Sequence, residues 1–188
     1  IELVSAFGRE FRLKKAISGI KDNFDFIFID CPPSLGLLTV NSLTASDYII
    51  IPLQCEYYAL EGLGQLINIQ TLIKNNLNPG LELGGVLLTM ADFRTKLTDQ
   101  VINEVQNYFK DSVFKTIIPR SVRLGEAPSF GKPGIIYDRA SRGAKCYLEA
   151  VKEFESRFKT KSDKSNETPA QNILAAKACL PAGRKESS

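Results

Sequence analysis

The sequence predicts an α/β fold in which a mostly parallel sheet lies between two layers of helices. Two observations predict it. Strand-like and helix-like segments alternate along the chain, and the strand-like ones are solidly apolar. Strands covered by helices on both faces read this way, because neither face meets water. Ligands of such folds bind at the carboxyl ends of the strands. The stretches that follow strands are therefore the ones to inspect: residues 30–36, 54–58, 90–94 and 119–128.

Each element has its own signal. Residues 9–22 predict a helix, with Leu13, Ile17 and Ile20 at i, i+4 and i+7 and Arg12, Lys14 and Lys15 on other faces. Residues 24–30 predict a buried strand, short, aromatic-rich and closed by Asp30, with Pro32 and Pro33 forbidding its continuation. A second strand is expected at 48–53 around Ile49, Ile50 and Ile51. A helix follows at 59–75, stopped by Asn78, Pro79 and Gly80. Residues 83–89 predict the third strand. Residues 98–110 predict a helix with Thr98 as its N-cap. A fourth strand is expected at 113–118, an irregular stretch at 119–134 and a short extended piece at 135–137. The last helix, 141–158, carries the stripe Ala144, Tyr147, Val151, Phe154 and Phe158. Residues 159–188 are polar and predict a disordered tail.

Composition narrows the chemistry. The chain has 188 residues and no histidine, which excludes Ser-His-Asp and Cys-His catalysis and any His-ligated metal. The four cysteines, Cys31, Cys55, Cys146 and Cys179, form no CxxC pair, so reduced thiols of a cytosolic protein are expected rather than a zinc site or disulfides. The net charge is +3, from 24 basic and 21 acidic residues. A balance this even leaves any nucleic-acid contact to local basic residues. No apolar run reaches the ~18 residues of a membrane helix, so no membrane association is expected.

Asp30 ends an apolar strand-like run, where a carboxylate can hold Mg²⁺ through water beside a bound phosphate. An acid there can equally cap a turn or a neighbouring helix. The pattern gains meaning from what surrounds it. Residues 30–36 (DCPPSLG), 51–63 (IPLQCEYYALEGL), 85–95 (GVLLTMADFRT), 118–129 (IPRSVRLGEAPS) with Gly131-Lys132-Pro133, and Tyr137-Asp138 with Gly143-Ala144 follow one another in order. Together they resemble the ParA/Soj family of chromosome- and plasmid-partitioning ATPases, over about residues 1–158.

The resemblance implies a P-loop NTPase-like fold, three-layered and incomplete at the N-terminus. It implies ATP and Mg²⁺ as ligands, with Asp30 as the acid that organises the metal. Pro32, Pro33 and Gly36 would form the loop that senses the γ-phosphate, and Met90 and Pro119 would lie near the adenine. Arg120 would line the nucleotide site or pair locally, and Gln54 and Glu56 would lie near the nucleotide or a dimer contact. Arg94 and Arg123 match the family's surface for non-specific DNA, a role that suits guanidinium groups on exposed loops. Lys132, Arg139, Arg142 and Lys145 would extend that basic patch. The implied partners are DNA, a ParB/Spo0J-type centromere-binding protein and a second copy on ATP binding, in a cytoplasmic, nucleoid-associated setting.

The sequence also departs from the family. Arg139 follows Asp138 where proline is usual, and Phe130 stands where histidine is common. No GxxxxGK[ST] or KGGxxKT[ST] element occurs anywhere in the 188 residues. A phosphate cradle needs those backbone N–H groups and that lysine. The expectation is therefore the C-terminal portion of an ATPase domain at 1–158, inactive by itself, followed by the tail. Two alternatives stay open. One is a non-enzymatic piece with residual DNA or partner contacts. The other is a MinD-like cell-division ATPase, which would call for a basic amphipathic C-terminal helix that 172–180 does not supply.

Overall fold

The computed structural model describes residues 7–31, 36–57 and 59–158, leaving aside the side chains of 59–61. Pro33 and the polar segment 159–188 lie outside the described residues. The chain divides into two compact units. Among the described residues, the first comprises 7–31, 36–52 and 61–84, and the second 53–57, 59–60 and 85–158.

The strands β1 (Tyr48–Gln54) and β2 (Glu82–Thr89) pair with each other. In the first unit the Glu82 N–H donates to the Asp47 carbonyl at 3.0 Å, and in the second the Cys55 N–H donates to Thr89 at 3.0 Å. Both strands advance in the same direction between these bonds, so the pairing is parallel, as the solid apolar runs predicted.

The first unit opens with a 3-10 turn at Arg9–Phe11, then α1 (Arg12–Ser18), a second turn at Lys21–Asn23 and α2 (Leu37–Ala45). Helix α2 is absent from the sequence-based expectation, and its composition explains why. Thr39, Asn41, Ser42 and Thr44 are its buried positions, together with Leu43. With polar residues turned inward, no apolar stripe marks the helix. Asn41 tethers α1 to α2: its Nδ2 donates to Arg9 O at 2.8 Å and Leu37 O at 2.9 Å, and its Oδ1 accepts the Leu13 N–H at 3.1 Å. Buried Asn78, predicted as part of a helix stop, also closes α2. Its Nδ2 donates to the carbonyls of Leu43 and Ser46 at 3.0 and 2.7 Å, satisfying groups that the end of a helix leaves open. Leu43, Ile73 and Leu81 form the core here, with Ile49, Ile69 and Leu77 packed against them. Helix α3 (Ala59–Asn76) carries Ile69 and Ile73.

One expectation for this unit is corrected. Residues 24–31 form no strand, and Phe24 and Ile27 are exposed. A strand exists through its ladder, and among the described residues none pairs with this run. Residues 9–22 likewise break into a turn, a short helix and a turn instead of one helix.

In the second unit, residues 113–119 run alongside β2 in parallel, bridging at Val86 with Val113 and at Ala91 with Pro119. The Phe114 and Ile118 N–H groups donate to Val86 and Leu88, each at 2.9 Å. Val86 and Leu88 are fully buried in this ladder. Gly85 is required there, because a Cβ would stand 2.5 Å from the Phe114 ring and 3.1 Å from the Ser112 carbonyl. Helix α4 (Lys96–Phe109) begins earlier than predicted. Thr95, not Thr98, is its N-cap, its Oγ1 accepting the Thr98 N–H at 3.3 Å. Helix α5 (Val122–Glu126) lies in the stretch read as irregular, and 135–137 belong to a helical turn, α6 (Gly134–Tyr137), not to an extended piece. The Pro133 carbonyl accepts the N–H groups of Ile136 and Tyr137, both at 2.9 Å, which overrides the extended preference of two isoleucines. Helix α7 (Arg142–Phe158) matches its expectation, although Ala150 and not Val151 is buried.

Candidate functional site

In the second unit, three chain segments end on one edge. They are Gln54–Glu56 after β1, Met90–Arg94 after β2, and Pro119–Arg123 after the parallel segment. Ala91 knits the last two together: its N–H donates to Ile118 at 3.1 Å and its carbonyl accepts the Arg120 N–H at 3.0 Å. Met90 has a φ of 53°, a left-handed turn that L-residues adopt at a cost, and its side chain is 41% exposed. Pro119 is buried beside it in the ladder. The edge therefore offers Met90 as its apolar surface, on a backbone fixed by Ala91 and Pro119.

An ion pair crosses this edge. Arg120 Nη2 lies 3.0 Å from Glu56 Oε1. It joins the end of β1 to the segment beyond β2, two elements that both flank β2. Arg120 also contributes to the field at Asp92, whose carboxyl is held down at about 2, chiefly by hydrogen bonds from the Arg94 side chain and amide. Cys55 is buried on this edge, and burial pushes its thiol up to about 11, which makes it an inert packing group.

Both arginines matched to a DNA surface are exposed at this end of the unit. The Arg94 side chain is 87% exposed. Arg123 is 58% exposed and sits on α5. Leu124 fixes α5, filling the spaces where a Cβ on Gly134 or Gly143 would stand only 2.5 and 2.6 Å away. Arg142 lies over the Phe93 ring at 5.4 Å, beside the Arg94 loop. Sequence reading had Arg142 in the patch but missed the carboxylates Asp92 and Glu126. The Asp-x-Arg spacing at 92–94 and the Arg-x-x-Glu spacing at 123–126 were the available signals.

Asp30 and Gly36 belong to the first unit. Asp30 is exposed at the end of the apolar run. Gly36 is the N-cap of α2, and its carbonyl accepts the Val40 N–H at 3.1 Å. Among the described residues no three His, Cys, Asp or Glu side chains cluster as a metal cage.

Comparisons with known proteins agree with this architecture. A sequence model described as an AAA domain matches residues 1–83. The chain is 62% identical over 153 residues to the sporulation initiation inhibitor protein Soj of Bacillus subtilis, which covers 81% of this chain and 60% of Soj. It is 54% identical over 162 residues to the chromosome partitioning protein ParA of Myxococcus xanthus, covering 86% of this chain and 57% of that protein. Among solved structures, cobyrinic acid a,c-diamide synthase of Mycobacterium smegmatis, crystallised with ADP and magnesium, superposes with a TM-score of 0.69 at 34% identity, covering 89% of this chain and 61% of that one. The cell division ATPase MinD of Pyrococcus furiosus shares the fold, with a TM-score of 0.63 at 23% identity over 78% of this chain and 58% of MinD.

The fold is thus that of the P-loop ATPases. Within it, the chain is homologous to the chromosome-partitioning proteins Soj and ParA over more than four fifths of its own length. It spans about 60% of the length of the curated relatives it matches. No described helix is long and apolar enough to cross a membrane.

Proposed function

We propose that this chain is part of a partitioning ATPase that binds ATP with Mg²⁺, pairs with a second copy around the nucleotide and holds DNA without regard to sequence. ATP hydrolysis, stimulated by a ParB/Spo0J-type partner, then releases the DNA. The observation that carries this reading is the 62% identity to Soj across 153 residues. The strand-end geometry supports it. Met90, exposed on a backbone pinned by Ala91 and Pro119, suits the flat apolar contact a purine needs. The Glu56–Arg120 pair holds that edge in shape. Arg94 and Arg123 supply the phosphate contacts to DNA. By the sequence resemblance, Pro33 and Gly36 respond to the γ-phosphate.

Asp30 would hold Mg²⁺ through its waters, and the ion would supply positive charge beside the phosphates. Asp30 itself orients, and hydrolysis depends on positioning and charge stabilisation rather than on a covalent step. In the full-length protein, Asp30→Asn should lower Mg²⁺-dependent ATP hydrolysis at least ~100-fold, the size expected when a group stabilising transition-state charge is removed. Its melting temperature should stay unchanged, since Asp30 is exposed. Hydrolysis within twofold of the parent would overturn the assignment.

A further inference from the structure

Arg94 and Arg123 do not stand as open cations. Arg94 donates from Nε and Nη2 to the two carboxylate oxygens of Asp92, at 2.8 and 2.6 Å. Asp92 is itself held, because its Oδ1 also accepts the Arg94 N–H at 3.2 Å. Arg123 Nη1 donates to Glu126 Oε2 at 3.1 Å, and its Nε lies 3.6 Å from Asp138 Oδ2. These acids are fixed too. The Tyr137 hydroxyl donates to Glu126 Oε2 at 3.2 Å, and the Ala140 and Ser141 N–H groups donate to Asp138 Oδ1 at 3.2 and 3.1 Å. All of these groups belong to the second unit.

The fork of a guanidinium meets a carboxylate and a phosphate with the same geometry and the same donors. A DNA phosphate that binds the Nε–Nη2 side of Arg94, or the Nη1 and Nε groups of Arg123, therefore meets a place that Asp92, or Glu126 with Asp138, already holds. We propose that Asp92, and Glu126 with Asp138, are internal competitors that occupy the phosphate-binding faces of Arg94 and Arg123 and set how tightly the protein holds duplex DNA. The inference rests on the DNA role given above to the two arginines. It assigns to the three acids a function distinct from stabilising loops: they keep the DNA contact weak enough to be released. Asp92 makes the stronger of the two latches, with two side-chain bonds and an amide bond on one carboxylate.

The test is binding of random-sequence duplex DNA by the full-length protein with a non-hydrolysable ATP analogue, at two salt concentrations. Asn at 92 keeps an oxygen for the Arg94 amide, so the loop is retained while the ionic competition is lost. Asp92→Asn should tighten binding about three- to fivefold, the scale of one exposed ion pair, and Asp92→Asn with Glu126→Gln about tenfold. The gain must act through the arginine: in an Arg94→Ala background, Asp92→Asn should give no tightening. Equal tightening in that background would reduce the effect to general charge and overturn the proposal. Unchanged affinity of the double variant, while Arg94→Ala with Arg123→Ala weakens binding, would overturn it and leave the DNA reading standing. Unchanged affinity of the arginine double variant would overturn the DNA reading and this inference with it.

Discussion

Thr44 shows how a single hydroxyl can work against its own helix. It is fully buried in α2, and its Oγ1 has no hydrogen-bond partner among the described residues. Its neighbours fare better: Ser42 Oγ donates to Leu38 O at 2.9 Å and Asn41 makes three bonds. A buried hydroxyl that has left water without a replacement bond costs free energy, and a methyl in its place does not. Thr44→Val, which keeps the shape, should raise stability by about 1 kcal/mol in denaturant unfolding. A loss of stability would show that the hydroxyl has a partner. The same residues explain what could not be read from the sequence. Thr and Asn at buried positions give α2 the look of a loop, whereas Asp30, Met90 and Arg123 were singled out because motif spacing, not burial, marks them. Asp92 and Glu126 were not singled out, since an acid two or three residues from an arginine is commonplace until the geometry joins them.

At the scale of elements, the segment 113–119 poses a question that α7 answers. One side of it pairs with β2, and its other backbone groups need partners. Glu153 accepts the Lys115 and Thr116 N–H groups at 2.8 and 3.0 Å. Arg157, four residues on, donates to Val113 O at 2.6 Å and to Glu153 Oε1 at 2.7 Å, and lies over the Phe114 ring at 4.3 Å. Two side chains on one helix face thus do what a neighbouring strand would. Burial acts to raise the Glu153 carboxyl, but the amides of Lys115 and Thr116 and the Arg157 guanidinium outweigh it and hold it below its ordinary value of 4.5. A depressed carboxyl stabilises the fold above its unfolded value and ceases to do so as pH falls through the folded one. Glu153→Gln should therefore cost about 2 kcal/mol at neutral pH, because its amide turns a donor toward donors. Thermal melts should show that deficit shrinking below pH 4.5 as the parent loses the same charge; a deficit constant with pH would refute the clamp. The strand at 113–118 was expected from the sequence, but nothing in the sequence joined it to Glu153 and Arg157 on the last helix. Local pattern served β1 and β2 well and misled at 24–30, because an apolar run looks alike with or without a ladder to join.

For the molecule as a whole, charge must be concentrated to be useful. With 24 basic and 21 acidic residues, the net +3 cannot draw the chain to DNA from any direction. If binding is local, its salt dependence counts the phosphates actually met. Duplex DNA releases ~0.9 counterions for each phosphate neutralised, so losing two contacts lowers the slope of log affinity against log salt by about 1.8 per protomer. Arg94→Ala with Arg123→Ala should show that drop in the full-length, ATP-analogue-bound protein. Lys14→Gln with Lys15→Gln removes the same two charges from exposed positions of α1 and should leave the slope as it was. Were overall charge the cause, the two double variants would change the slope equally, and the assignment of Arg94 and Arg123 would fall. The competing acids sharpen this expectation. With Asp92 and Glu126 already paired to Arg94 and Arg123, the protein would exchange one anion for another on meeting DNA. Its affinity is lowered by that exchange while its counterion count, which belongs to the DNA, is not.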